Sequence, residues 1–287
     1  MQEIAPQVYI ETNFPGVTLG AINGHHGLIL VDTPLRSEDI RSWRSALLNL
    51  GGGVDRLLVI MDTHFDRTLG ANEMDCTVVG HINAIDVFRN RPNTFKMQTA
   101  ETGAEWELYP SSTIIRWAAP EISFTEQMEI NWNNQPVLLD YRPGPSSAAI
   151  WLHLAAQQVL FLGDAVMPDQ PPFLENADLP VWIENLKGLL KPKYQNYLLV
   201  SGRCGLITQD AVREQIKILE WLSAGIEKLT RHTAPVEQIR RLAETYLEKN
   251  PAPKDRSALY LRRLNYGLQY YYSRHFLPPV DEPDQVS

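Results

Sequence analysis

Short apolar runs that each end in a knot of polar residues constrain this chain more than any other feature of it. Arg56 to Met61 reads RLLVIM and leads directly into Asp62-Thr63-His64-Phe65-Asp66-Arg67. A run so short and so continuously apolar is a strand buried on both faces. The pattern recurs three times. QPVLL ends in Asp140-Tyr141-Arg142-Pro143-Gly144, QQVLFLG in Asp164, and NYLLVSG in Arg203-Cys204-Gly205. Loops at strand ends are where a rigid scaffold presents working side chains, so the chemistry is to be sought at these four places.

Around them strands and helices alternate. QVYIET, VTLGAIN and HHGLILVDT are strand segments punctuated by Pro15-Gly16 and Asn23-Gly24, which predicts an antiparallel meander. Ser37 reads as a helix N-cap, with Glu38 and Asp39 in the first turn. Ile40, Trp43, Leu47 and Leu50 follow at helical spacing, and Gly51-Gly52-Gly53 closes that helix. CTVVGHI, STIIRW, EISF and QMEIN are further strand candidates, Asn83 to Asn90 a short helix, and AIWLHL with QQVLFLG a hairpin. Another helix begins at Asp178 or Pro180. From Thr208 the chain becomes helical: a long amphipathic helix, a second over Pro235 to Lys249 and a third over Ser257 to Phe276. The class is α/β, with sheets sandwiched by helices. Residues 1–230 are expected to form the sandwich domain and 231–287 a C-terminal helical extension.

Composition narrows the function classes. A 287-residue chain with 44% hydrophobic residues can bury a full core. A net charge of −8 with no basic patch argues against nucleic acid as partner. No apolar run is long enough to span a bilayer, and MQEIAPQVYI lacks the pattern of a secretory signal. Cys76 and Cys204 supply no disulfide framework, so a reducing, cytoplasmic setting is expected.

The order and character of the four segments resemble the metallo-β-lactamase superfamily of metallohydrolases. Its signature, H-x-H-x-D-H after a buried strand, aligns without a gap on Asp62-x-His64-x-Asp66-Arg67. Its early strand ending in Asp resembles Leu30-Val31-Asp32-Thr33. Its next His precedes a Pro-Gly pair, where this chain has Tyr141 before Pro143-Gly144; its bridging Asp matches Asp164 of VLFLGDAV; its last His falls on Arg203. The resemblance runs from about Val8 to the helix after Thr208. It implies a four-layer αβ/βα sandwich of the metallo-β-lactamase type, with the site at one edge of the two sheets and C-terminal helices beyond.

The resemblance also implies where metals would sit. One would be held at Asp62, His64 and Tyr141, the other at Asp66, Arg67 and Arg203, with Asp164 bridging; four of the five His positions are changed. Arg offers only donors and stays protonated, so Arg67 and Arg203 would repel a divalent ion and instead bridge Asp66 and Asp164 through charge-assisted bonds. A dinuclear zinc site is therefore not expected. Two readings stay open. In one, a single zinc, manganese or iron ion on Asp62, His64 and Asp164, with Tyr141 as a weak fourth ligand, serves a hydrolase of an ester, lactone, thioester or phosphoester. Asp66 would then be general base, and Arg67 and Arg203 anion stabilisers. In the other, no metal binds and the chain is a non-catalytic binding or assembly protein, its pocket open to an acidic small molecule.

Plainer roles compete for several residues. Asp66 can cap the helix that follows it. Cys204, beside Arg203, is either a thiol of depressed pKa or a small buried side chain. His81 and His153 lie in strand patterns and are expected to be packed, His25-His26 to face solvent, and His232 and His275 to close helices. Phe173, Trp182 and Pro171-Pro172 either line a pocket or anchor a loop. Tyr266, Tyr270, Tyr271 and Tyr272 either pack the last helix or offer a homodimer or partner surface.

Overall fold

The structure is a computed structural model that describes residues 1–51, 53–91, 102–109, 116–132, 135–230 and 236–277. Strands β1 (Gln2–Ala5), β2 (Val8–Glu11), β3 (Leu19–Asn23) and β4 (Gly27–Val31) form the expected meander, with β1 an addition that its polar sequence does not announce. Helix α1 (Ser37–Leu47) then crosses to β5 (Asp55–Val59), which pairs parallel with β4. Past the one-turn helix α2 (Phe65–Thr68), β6 (Thr77–His81) pairs parallel with β5. Helix α3 (Ile82–Asn90) precedes β7 (Ile122–Phe124), the parallel last strand of a seven-stranded sheet.

The second sheet repeats this plan. Strands β8 (Gln127–Ile130), β9 (Val137–Tyr141), β10 (Ile150–Leu154) and β11 (Val159–Phe161) form an antiparallel meander. Helix α4 (Leu179–Leu189) crosses to β12 (Leu198–Ser201), which pairs parallel with β11, and β13 (Gly205–Ile207) turns back antiparallel. Helices α5 (Gln209–Thr230), α6 (Val236–Lys249) and α7 (Ser257–Phe276) end the described chain close to the predicted bounds.

Side-chain alternation explains the layers. Val8, Ile29 and Val59 of the first sheet meet Leu139, Leu152 and Phe161 of the second in a shared apolar layer. The opposite faces carry Leu28, Leu58 and Val78 under Ile40 and Trp43 of α1 and Phe88 of α3. On the far side Trp151, Leu160 and Leu199 lie under Trp182 and Leu186 of α4 and Leu219 of α5, with Leu264, Leu268 and Tyr271 of α7 in the same apolar body. The order is helices, sheet, sheet, helices, as in the aligned sandwiches whose inner faces interdigitate.

Two local expectations change. The N-cap position of α1 falls on Arg36, which ion-pairs with Asp39 at 2.6 Å, while the Ser37 hydroxyl donates to Glu73 at 2.7 Å instead of capping. Tyr271 and Tyr272 are buried, whereas Tyr270 is exposed and Tyr266 stacks against it. Most of STIIRW, and His232, lie outside the described residues.

A peptide ladder ties the sheets together where their parallel strands end. The Gly202 N–H donates to the Gly163 carbonyl at 2.7 Å, and the Gly202 carbonyl accepts from the Thr18 N–H at 2.7 Å. A Cβ at Gly202 would stand 2.8 Å from both the Gly163 carbonyl carbon and the Arg67 Nη1. Gly202→Ala is therefore expected to lower stability by about 1–3 kcal/mol, the usual cost of overpacking. Urea unfolding of the variant against wild type measures it.

Candidate functional site

The C-terminal ends of four parallel strands meet at one edge of the sandwich. Asp32 follows β4, Asp62 follows β5, Asp164 lies in the turn after β11, and Arg203 in the turn between β12 and β13. His64, Asp66 and Arg67 come from α2 and its N-cap. Strand register thus delivers side chains from both sheets to one point, the usual place for a site in open α/β sheets. Asp32 turns the chain there with φ of 58°, a left-handed conformation that Asp tolerates.

Arg67 occupies the centre and is fully buried. Its Nη1 donates to Asp32 Oδ2 at 2.5 Å, its Nη2 donates to Asp164 Oδ1, and its Nε lies 3.0 Å from Asp62 Oδ1. The last contact is electrostatic only, because the Nε–H is not directed at an acceptor. Arg203 forms the second hub. Its Nε and Nη2 clasp Asp164 at 3.0 and 2.9 Å, a bidentate fork, and its Nη1 donates to Asp66 Oδ2 at 2.7 Å and to the Gly16 carbonyl at 3.0 Å.

The acceptors are as fully engaged as the donors. Asp66 also accepts the backbone N–H groups of Glu105 (3.1 Å) and Trp106 (2.8 Å). It caps that turn and not its own helix, where His64 takes the N-cap. His64 Nδ1 accepts from the Asp66 N–H at 3.2 Å and from Arg203 Nη2 at 3.0 Å, so the imidazole is neutral with its proton on Nε2. Asp62 Oδ1 accepts the His64 N–H at 2.7 Å. The Phe173 ring lies against His64 and under the Arg203 guanidinium, 4.2 and 4.5 Å between centres.

Other expected site residues land elsewhere. Tyr141 is not brought into the cluster: it stacks flat on His81 at 3.9 Å and bonds Asn83. Cys204 is an exposed residue, and partial desolvation of its thiol raises its pKa instead of depressing it. His81 and His153 are buried, the latter 2.8 Å from Asp140, and His25 and His26 are exposed. Arg203 bridges Asp66 and Asp164 as expected, but Arg67 combines Asp164 with Asp32 and Asp62.

Two further arginines surround the cluster without a sequence signal. Arg91 donates to the Thr63 carbonyl and lies over the rings of Phe65, Phe88 and Trp117 at 4.3, 4.8 and 4.6 Å. Arg263 of α7 stacks on Phe173 at 4.0 Å and donates to Gly103, Gln170 and Pro171. Burial pushes both guanidiniums down to about 10.

Solved structures of other proteins share this architecture, although no family model and no curated protein matches the sequence. A metallo-β-lactamase family protein from Thermus thermophilus superposes with a TM-score of 0.62 at 18% identity, over 95% of this chain and 94% of that one. A metallo-β-lactamase from Pontibacter korlensis gives 0.59 at 18%, over 76% and 97%. A stereoselective inverting sec-alkylsulfatase from Pseudomonas sp. gives 0.64 at 16%, over 95% of this chain and 49% of that one.

The chain has the metallo-β-lactamase fold.

In this version of the metallo-β-lactamase fold the donor set does not fit a metal ion. Among the described residues no group of three or more His, Cys, Asp or Glu side chains is arranged to hold one. His64 Nδ1 and both oxygens of Asp66 and Asp164 already accept N–H bonds. An ion among them would also face two guanidinium groups.

Charge is balanced inside the cluster itself. Burial opposes ionisation of Asp164, yet Arg203 and Arg67 hold its pKa well below the carboxylate range. Burial likewise opposes Asp66, and Arg203 and the Trp106 N–H keep it low. Asp32 and Asp62 both lie against Arg67, yet burial raises both, Asp32 to about 7. Arg67 and Arg203 stay fully charged, because their carboxylates outweigh burial. Two cations therefore face two firm anions, and the other two carboxyls titrate high.

Two predictions test this geometry. Removing one member of a buried ion pair strands the other, typically at about 3–5 kcal/mol. Arg203→Met is expected to destabilise on that scale, and adding Asp164→Asn to recover part of the loss in a double-mutant cycle of unfolding free energies. The second concerns pH. Burial, and then Arg203, lower the His64 pKa to about 3 from an ordinary 6.5. Above pH 6.5 both folded and unfolded imidazoles are neutral, so the residue adds no pH dependence. Below it only the unfolded chain gains a proton, so stability falls toward pH 3 by about 1.4 kcal/mol per unit at most. Subtracting His64→Asn from wild type in urea melts across that window isolates this slope.

Proposed function

We propose that the chain is a metal-independent form of the metallo-β-lactamase fold, a binding protein without hydrolytic chemistry. The observation that carries this reading is the place of Arg67, which offers fixed charge to Asp32, Asp62 and Asp164 together. Arg203 does the same for Asp66 and Asp164 and also occupies the free lone pair of His64. A metal-bound water needs open coordination and ligand lone pairs; here those lone pairs are spent on N–H donors. General-base work by Asp66 is equally disfavoured, because three N–H groups hold its carboxylate ionised and weakly basic.

The pocket outside the cluster suits binding. Its volume is about 470 Å³, and Phe14, Gly16, Tyr109, Arg203 and Tyr260 contribute to its walls. The polypeptide's likeness to hydrolases is a likeness of scaffold, and function follows the site.

Metal analysis of protein purified without chelator tests the reading. Zinc, manganese and iron are expected well below one ion per chain, with a melting temperature that chelator does not move. Stoichiometric metal that disappears in His64→Ala would overturn the proposal.

A further inference from the structure

One buried cation of this chain lacks an anion. Arg263 of α7 is 2% exposed, yet among the described residues no carboxylate pairs with it. Its Nε donates to the Gly103 carbonyl at 2.9 Å, and its Nη1 to Gln170 Oε1 at 2.9 Å and to the Pro171 carbonyl at 3.1 Å. Its Nη2 makes no hydrogen bond among the described residues and is not sealed from solvent. The cluster offers no spare counter-charge, because Arg67 and Arg203 already hold Asp164, and Arg203 holds Asp66. Glu175 feels the guanidinium without forming an ion pair. Neutral carbonyls and the rings of Phe173 and Tyr260, at 4.0 and 5.0 Å, are what surround the charge. A buried charge without a counter-ion is costly.

Gln170 stands between Arg263 and the pocket at Arg203. It bonds the guanidinium on one side and contributes to the pocket wall on the other, as Tyr260 does. The Gln170 side chain is half-buried, and its Nε2 makes only a weak contact of 3.5 Å with the Cys204 sulfur. The amide can therefore swing into solvent at little cost, which opens Arg263 Nη1 to a stronger acceptor. A carboxylate oxygen in that place makes a charge-assisted bond, and Nη2 is free to take the second oxygen in a fork. The acids of the wall are engaged: Glu105 pairs with Arg256 at 2.6 Å, and Asp255 lies 3.5 Å from the same guanidinium. Phe14, Tyr109 and Tyr260 supply ring faces for an apolar body.

We infer that the pocket beside Arg203 takes a small aromatic carboxylate, whose charged end displaces the Gln170 amide and pairs with Arg263. The inference rests on the reading of that pocket as a binding site and adds the class of its ligand. It does not use the absence of a metal, so the metal analysis above neither supports nor sinks it.

The probes are 2-naphthoate and its uncharged counterpart 2-naphthamide, titrated calorimetrically into the full chain at pH 7.5 and low ionic strength. 2-Naphthoate is expected to bind saturably at one site per chain, and 2-naphthamide about tenfold more weakly or worse, because hydrogen bonds to a charged group exceed neutral ones. Gln170→Glu places the missing counter-ion inside the chain and is expected to weaken 2-naphthoate at least about tenfold while the chain still melts cooperatively. Gln170→Ala clears the way to Arg263 and is expected to keep or tighten the affinity. Ile218→Trp lies in the larger cavity beside Gln215, which Gln170 also borders, and is expected to change nothing. Absence of saturable 2-naphthoate binding to wild type overturns the inference. So does unaltered affinity in Gln170→Glu, or a loss in Gln170→Ala or Ile218→Trp. Equal affinity for the two naphthalenes overturns it as well, and leaves the pocket a binding site.

Discussion

Charge neutrality in a dry place is the constraint on which the rest of this structure depends. Asp32, Asp62, Asp66 and Asp164 are all buried where the two sheets meet, and a buried carboxylate must be paired, hydrogen-bonded or protonated. Arg67 and Arg203 supply the pairing from within the chain. Because Arg67 comes from the first half of the chain and Asp164 from the second, the same bonds that neutralise the carboxyls also join the halves. Gly202 has no side chain for the same reason: the Arg67 guanidinium occupies the space a Cβ would need.

Much of this was legible in the sequence, and the reasons are physical. Buried strands announce themselves by continuous apolar runs, so β5, β9, β11 and β12 and their polar ends could be found from patterning alone. The α5, α6 and α7 helices were legible through their apolar periodicity. The pairing of Arg203 with Asp66 and Asp164 followed from the family resemblance, which implies that the three meet, together with donor and acceptor chemistry. What stayed hidden depends on distance in space. Nothing local says that Asp32 lies beside Arg67, though it too ends a buried strand. The Asp66 carboxylate reaches across 39 and 40 residues to two peptide N–H groups, a contact that has no period. Arg91 and Arg263 are held by aromatic faces and carbonyl oxygens, and such contacts leave no spacing to read. Tyr141 was placed by its position before Pro143-Gly144, but its ring found a flat partner in His81.

The C-terminal helices do more than cover the second sheet. Arg263 reaches from α7 to Phe173, the ring that also contacts His64 and Arg203. Through that ring the last described helix is mechanically linked to the cluster. The same helices line the pocket beside Gln215, and Gln170, which bonds Arg263, borders both that pocket and the one at Arg203.

The three-way contact of Arg67 has a consequence for how this protein can change. A histidine at that position alone would leave Asp32 and Asp62 without the cation they share and Asp164 with Arg203 alone. One at Arg203 alone would strip the fork from Asp164 and the cation from Asp66. Either single exchange strands buried carboxylates and lowers the stability of the chain. The two arginines are therefore coupled: because both hold Asp164, the effect of changing one depends on whether the other is present.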